Sequence, residues 1–171
     1  AGPGVGGHCI SVDPWFLVEK AAGESQIIRL ARERNDAMPC HVADAIAELV
    51  DGVKSPRIAV LGLAYKANVD DIRESPAARV VEYLRGRGFE VAVHDPHVKQ
   101  SPFPMLSLEQ CLRGADCAAL LTNHDEFKAI DPLQAAAWMR HRVLYDTRNL
   151  LDVAAWKAAG FRVRLLGAGA K

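Results

Sequence analysis

At 171 residues the chain has room for one ordinary domain, or for a smaller domain with an attached helical piece. Half of its residues are hydrophobic, enough for a sizeable core, and its 21 basic and 21 acidic residues balance without a long run of either sign, which argues against nucleic acid or a membrane surface as the main partner. The cysteines, Cys9, Cys40, Cys111 and Cys117, have neither CxxC nor zinc-ligand spacing and are expected to be thiols of a reducing cytoplasm; no segment reads as a signal peptide or a bilayer span.

The chain opens on GPGVGGHCISVDPWF, Gly2 to Phe16, a glycine-rich loop that carries Cys9 and then Asp13 at the start of a helix. Glycines let a backbone take φ > 0 and let a ligand approach closely. A cysteine at the mouth of such a loop, just ahead of a helix whose dipole favours negative charge, has a route to thiolate at neutral pH and so to nucleophilic catalysis. Two plainer readings stand beside this one. Cys9 could be a buried small hydrophobe, and Asp13 with Pro14 reads as an N-cap and first helical residue; one carboxylate can serve as both cap and catalyst. Gly2, Gly4 and Gly7 spell G-x-G-x-x-G, but no strand precedes them and the helix waits until Pro14, so they are not a dinucleotide fingerprint. Beginning inside this loop and without methionine, the chain is expected to be a piece of a longer protein.

Residues 14 to about 22 are expected to form a short helix. A second should start near Ser25 and run past Val50, because Ile27, Ile28, Leu30, Ala31, Val42, Ile46, Leu49 and Val50 fit an apolar stripe at helical spacing. Pro39 should kink or divide it. GVKSP, 52–56, reads as a linker. The pattern then changes to short apolar runs at 58–61, 89–94, 115–121, 142–145 and 161–165, separated by helical stretches at 75–87, 108–112, 126–139 and 153–159.

Alternating strands and helices of these lengths predict an α/β fold with a doubly wound parallel sheet, whose ligands sit at the carboxyl ends of the strands. That rule selects 62–73, 94–96, 122–124 and 146–149. The first of these, in GLAYKANVDDIRESP, holds Lys66, Asp70, Asp71 and Arg73 without the glycines of an NAD turn, so the domain is Rossmann-like. Lys66 and Arg73 at this edge suit phosphate or sugar hydroxyls; equally, Arg73 could pair with Asp70 or Asp71 and Lys66 could be solvated. Arg148, in DTRNLLD, is either another phosphate contact or a partner of Asp146 or Asp152. His8, His94 and His124 are scattered, His41 beside Cys40 reads as incidental, and none has a metal-like partner spacing.

GPGVGGHCISVDPWF, then GLAYKANVDDIRESP, then DTRNLLD resemble, in that order, the C-terminal portion of the UDP-glucose/GDP-mannose dehydrogenase family, and the resemblance covers essentially the whole chain. It implies that residues 1–52 are part of a central helical dimerisation domain and 57–171 a C-terminal UDP-binding domain. It also implies an NAD-dependent oxidation of a nucleotide sugar at C6, from alcohol to carboxylate. GGHC with VDPWF is most similar to members that act on UDP-N-acetyl-D-mannosamine; UDP-glucose enzymes carry another residue where His8 stands.

Position by position, the resemblance makes Cys9 the nucleophile and Asp13 the carboxylate that helps activate the hydrolytic water. Pro3, Gly4, Val5, Gly6, His8, Tyr65, Lys66 and Arg148 match substrate-binding positions. Cys9, Ile10, Ser11 and Val12 match residues near the nicotinamide, and Arg73 one that reaches NAD. The family's N-terminal NAD-binding domain and its catalytic lysine and asparagine are not in this sequence. The chain alone is therefore expected to be inactive, to bind the uridine diphosphate part weakly at best, and to self-associate through residues 25–50. The alternatives are a non-catalytic nucleotide-sugar-binding or dimerisation module in which Cys9 only packs, or the same chemistry on UDP-N-acetylglucosamine or UDP-glucose.

Overall fold

The computed structural model describes residues 2–168. Five strands, β1 (Arg57–Leu61), β2 (Glu90–His94), β3 (Cys117–Leu120), β4 (Val143–Asp146) and β5 (Arg162–Leu165), form one parallel sheet in the order β2-β1-β3-β4-β5. The strands read as unbroken apolar runs because helices cover both faces, and alternate side chains serve two separate cores. Ile58, Val60, Val91, Val93, Ala119 and Tyr145 belong to one core, with Val42 and Ile46 of α2 (Gln26–Leu49) and Val80, Val81 and Leu84 of α3 (Pro76–Gly86). Ala59, Leu61, Ala92, Leu120 and Leu144 belong to the other, with side chains of α4 (Leu108–Leu112), α5 (Pro132–Trp138) and α6 (Val153–Ala158). This is the doubly wound, Rossmann-like arrangement that the alternation of elements predicts. Among the described residues no helix is long and apolar enough to cross a membrane.

Two local expectations meet the structure differently. Of the two effects expected of Pro39, division of the helix does not occur: α2 runs unbroken for 24 residues. Proline leaves the Asn35 carbonyl without its i+4 donor, but burial of the ring and packing of α2 on α3 offset one missing hydrogen bond. Asp13 does not cap α1 (Asp13–Lys20); Val12 holds the N-cap position, and no side chain caps the helix. The turn through 8–12 leads directly into the helix, so the Cys9 carbonyl already accepts from the N–H groups of Val12 (2.9 Å) and Asp13 (2.8 Å). The Asp13 carboxylate is left exposed, with no hydrogen-bond partner among the described residues.

Candidate active site

The strand order places the topological switch between β1 and β3, and ligands of open α/β sheets bind in the crevice outside such a point. The loops that leave β1 and β3 are pressed together there. Gly62 has φ +90°, and a Cβ on it would lie 2.5 Å from Thr122 Cβ. Thr122 Oγ1 donates to the Ala64 carbonyl (2.7 Å). Ser75, which caps α3 by accepting from the Ala77 and Ala78 amides, also donates from Oγ to the Leu63 carbonyl (2.7 Å).

Asp95, buried just past β2, joins three loops at this edge. Its Oδ2 accepts from the Leu63 and Ala64 amides (2.6 and 3.0 Å) and from His124 Nε2 (2.9 Å), and its Oδ1 from the amides of His97 and Val98 (2.9 and 3.1 Å). Burial by itself would push this carboxyl up; the His124 bond and the amides outweigh it and hold Asp95 far below the usual carboxylate range. Asp146, buried at the end of β4, accepts from the amides of Arg148, Leu150 and Leu151 (2.8, 2.8 and 3.0 Å) and so shapes the loop that carries Arg148.

The glycine loop docks onto this edge from far away in sequence. Val5 is held at both backbone groups by Asn35 of α2: its N–H donates to Asn35 Oδ1 (2.8 Å) and its carbonyl accepts from Asn35 Nδ2 (3.3 Å). The Gly7 amide donates to the Arg73 carbonyl (3.3 Å). The absent side chains permit this closeness. A Cβ on Gly7 would stand 3.0 Å from the Tyr65 ring, one on Gly6 would collide with the Glu74 carbonyl, and one on Gly2 with the Arg148 guanidinium. Ser11 Oγ donates to the Gly7 carbonyl and closes the turn.

The structure therefore gathers Gly2, Gly6 and Gly7 with Tyr65, Arg73 and Arg148. Cys9 is exposed, which removes the reading of it as a buried hydrophobe. Pro3 is buried, Gly4 is half-buried with φ +136°, and Val5, His8, Ile10 and Val12 are exposed. Arg73 pairs with Asp71 (2.6 Å) rather than Asp70, and its hydrogen bonds hold the Asp71 carboxyl at about 2. The pKa of Arg73 is raised first by Asp71, with Tyr65 and Cys9 close enough to contribute. Lys66 is exposed and forms no ion pair among the described residues. Arg148 makes no ion pair there either; its Nε donates to Asn123 Oδ1 (3.1 Å), and burial lowers its pKa against the pull of Asp146. A desolvated guanidinium without a carboxylate partner is suited to an anionic ligand. A second cleft of about 250 Å³ opens on the α2 side of the loop; Val5, Ser11 and Val12 line it with Trp15 and the buried Arg32, whereas Cys9, Tyr65, Lys66 and Arg148 do not.

Asp95 and His124 lie in loops that the strand-end rule selects, but their bonds to Leu63 and Asn68, like that of Asn35 to Val5, reach 30 or more residues along the chain and have no sequence signal. The histidines are also less scattered than their spacing suggests. His97, His124 and Glu126 present potential metal-ligand atoms within 4.8 Å of one another. They are poorly disposed to bind an ion, because both ring nitrogens of His124 are engaged: Nδ1 accepts from the Asn68 amide and Nε2 donates to Asp95.

The UDP binding domain of the UDP-glucose/GDP-mannose dehydrogenase family matches residues 59–153. A UDP-N-acetyl-D-mannosamine dehydrogenase from Methanococcus maripaludis is 45% identical over 174 residues, an alignment covering 99% of this chain and 40% of that protein. An NDP-N-acetyl-D-galactosaminuronic acid dehydrogenase from Ralstonia nicotianae is 42% identical over 155 residues, covering 87% of this chain and 36% of its relative. The solved UDP-D-ManNAc dehydrogenase from Pyrococcus horikoshii is similar with a TM-score of 0.86 and 38% identity, over 97% of this chain and 39% of that one. The chain thus spans about two fifths of the length of these relatives. With a family match over more than half of its residues and the same fold in a solved relative, the chain belongs to the UDP-glucose/GDP-mannose dehydrogenase family.

Proposed function

We propose that this chain is the C-terminal part of an NAD-dependent dehydrogenase that oxidises the C6 alcohol of UDP-N-acetyl-D-mannosamine to the carboxylate. The observation that carries the reading is an exposed cysteine on a glycine loop bonded to the ligand edge of the sheet, beside Tyr65, Arg73 and Arg148. Similarity to relatives named for this substrate supports the choice of sugar. Residues 1–52 would belong to a central helical domain that pairs two subunits, and 57–171 would form the UDP-binding domain.

Arg148, Lys66 and the loop backbone from Pro3 to Gly6, with His8 and Tyr65, would hold the nucleotide sugar with C6 toward Cys9. The Cys9 thiolate adds to the C6 aldehyde, forming a C–S bond and a thiohemiacetal whose carbon again carries a transferable hydrogen. After the second oxidation that carbon is a thioester. Water gives a proton to Asp13 as it adds to that carbon, the C–S bond breaks with its electron pair on the Cys9 thiolate, and the acid formed loses its second proton to solvent as the carboxylate. Ile10 and Val12 stand exposed near Cys9, with Ser11 buried between them, and Arg73 lies within electrostatic reach of Cys9, a surface that fits a nicotinamide cofactor at Cys9, Ile10, Ser11 and Val12; two NAD⁺ molecules bound there in turn would each accept one hydride, the first from the C6 alcohol and the second from the thiohemiacetal. The β1–α3 turn has no glycine fingerprint, so the rest of the dinucleotide would be held by the N-terminal domain of the same protein.

The test is alkylation of the chain with iodoacetamide at pH 7, read by peptide mapping, together with a UDP titration. Cys9 should react first and half-buried Cys40 more slowly; Cys111 and Cys117, each pushed up to about 12 by burial, should react only after unfolding. UDP should bind, with at least tenfold weaker binding in Arg148→Ala. Equal, sluggish labelling of Cys9 and Cys40 would favour a packing or dimerisation module. Steady NADH formation by this chain alone would overturn the division of labour between domains.

A further inference from the structure

Residues 65–67 form an arch between two anchored ends. Upstream, Leu63 and Ala64 have all four backbone polar groups engaged, their amides by Asp95 and their carbonyls by Ser75 and Thr122. Downstream, the Asn68 amide donates to His124 Nδ1 (2.9 Å), while Asn68 Nδ2 donates to Asp125 Oδ2 (2.6 Å) and its Oδ1 accepts from the Asp125 amide (3.1 Å). Asn68 sits at φ +59°, in the left-handed region, a conformation that persists where its surroundings hold it.

The His124 side chain has no exposed surface, and its Nε2 donates to Asp95 Oδ2 (2.9 Å). A ring that accepts at Nδ1 and donates at Nε2 is neutral and confined to one tautomer. Asp95 selects that tautomer, and the tautomer supplies the lone pair that meets the Asn68 amide. One buried pair therefore ties both ends of the arch that carries Tyr65 and Lys66.

We infer that His124 is a positioning residue for the nucleotide-sugar site: oriented by Asp95, it anchors the downstream end of the 65–67 arch and sets where Tyr65 and Lys66 meet the ligand. The inference rests on the substrate role proposed for those two residues. It is separable from a general structural role because His124 makes two bonds and each can be removed alone. His124→Gln keeps an amide nitrogen near the place of Nε2, facing Asp95, and leaves the Asn68 amide without its acceptor. His124→Asn keeps a carbonyl oxygen near the place of Nδ1, facing Asn68, and loses the bond to Asp95.

Both variants lose one buried hydrogen bond, so their unfolding midpoints should fall by similar amounts. Amide exchange at Asn68, followed by NMR, should accelerate at least tenfold in His124→Gln and stay within threefold of wild type in His124→Asn. The dissociation constant for UDP-N-acetyl-D-mannosamine should rise at least fivefold in His124→Gln alone. Equal affinities in the two variants, or unchanged Asn68 exchange in His124→Gln, would overturn the inference. A wild-type chain without affinity for the nucleotide sugar would overturn the substrate reading instead, and the exchange rates would still decide whether His124 holds the arch.

Discussion

Gly6→Ala isolates the docking of the cysteine loop. A Cβ at Gly6 would strike the Glu74 carbonyl oxygen and lie 2.6 Å from Pro76 Cδ. Neither neighbour can yield easily: Glu74 stands at φ +48° beside the Ser75 cap, and Pro76 is the buried first residue of α3. Relieving the overlap means lifting the loop, which breaks the Gly7 amide bond to Arg73 and both Val5–Asn35 bonds. At about 0.5–1.5 kcal/mol per hydrogen bond, docking is worth roughly 2–4 kcal/mol. The sheet can stay folded while the loop opens, so the effect is local. Amide exchange at Val5 and Gly7 reads it directly. The docking energy corresponds to about thirty- to several-hundredfold protection, taking about 1.4 kcal/mol per factor of ten. Gly6→Ala should erase most of this, whereas Gly23→Ala, with nothing within 4 Å of its new Cβ, should change nothing. Protection at Val5 and Gly7 within twofold of wild type in Gly6→Ala would refute the reasoning.

Asp95→Asn should destabilise the chain by about 3–5 kcal/mol, because the new NH2 must face N–H donors whichever way the amide turns. Thermal unfolding followed by circular dichroism should show a midpoint drop of roughly 10 °C, and a loss under about 1 kcal/mol would contradict the account of Asp95 as a junction. Asp116, buried just before β3, gives a pH dependence. Burial would raise its carboxyl, but Arg140, the Arg57 amide and His141 outweigh burial and bring it to about 2. With the folded value below the unfolded one, its contribution is complete above about pH 5 and is lost as pH falls from about 4 toward 2. After screening at half-exposed Arg140 and His141, it amounts to about 1–2 kcal/mol. Urea unfolding at pH 6 and pH 3 should show about half of that loss, and Asp116→Asn should shrink the difference; an unchanged difference would rule the group out. Ser107→Ala removes the capping box of α4, in which Ser107 and Gln110 exchange hydrogen bonds. It should cost about 1 kcal/mol in urea unfolding and leave Cys9 labelling as it was; a slower Cys9 would show that α4 reaches the site.

The sheet is legible in the sequence because burial on both faces turns each strand into a short apolar run, and the run at 58–61 lies within β1. The start of α3 is legible too, since Ser75 and Pro76 act through local geometry. Asp13 shows where such local reasoning stops: the turn through 8–12 runs into the helix one residue early, and the Trp15 amide that an Asp13 cap would have used donates to the Val12 carbonyl instead. The choice of Asp71 over Asp70 as the partner of Arg73 follows from how the β1 loop folds, not from spacing.

Sequence alone determined the order of elements, the family's motifs, and the pairing of a glycine loop with a cysteine. These depend on neighbours within a few residues, and on an apolar periodicity that survives any change of partners. The strand-end rule also picked out the loops of the crevice; only the tertiary structure decided how they are bonded to one another and that the glycine loop docks onto them. The bonds from Asn35 to Val5, Asp95 to Leu63 and His124 to Asn68 span 30, 32 and 56 residues. Contacts at that range follow from strand order and from which loop ends meet, and a buried polar group takes whichever donor or acceptor the fold brings within reach.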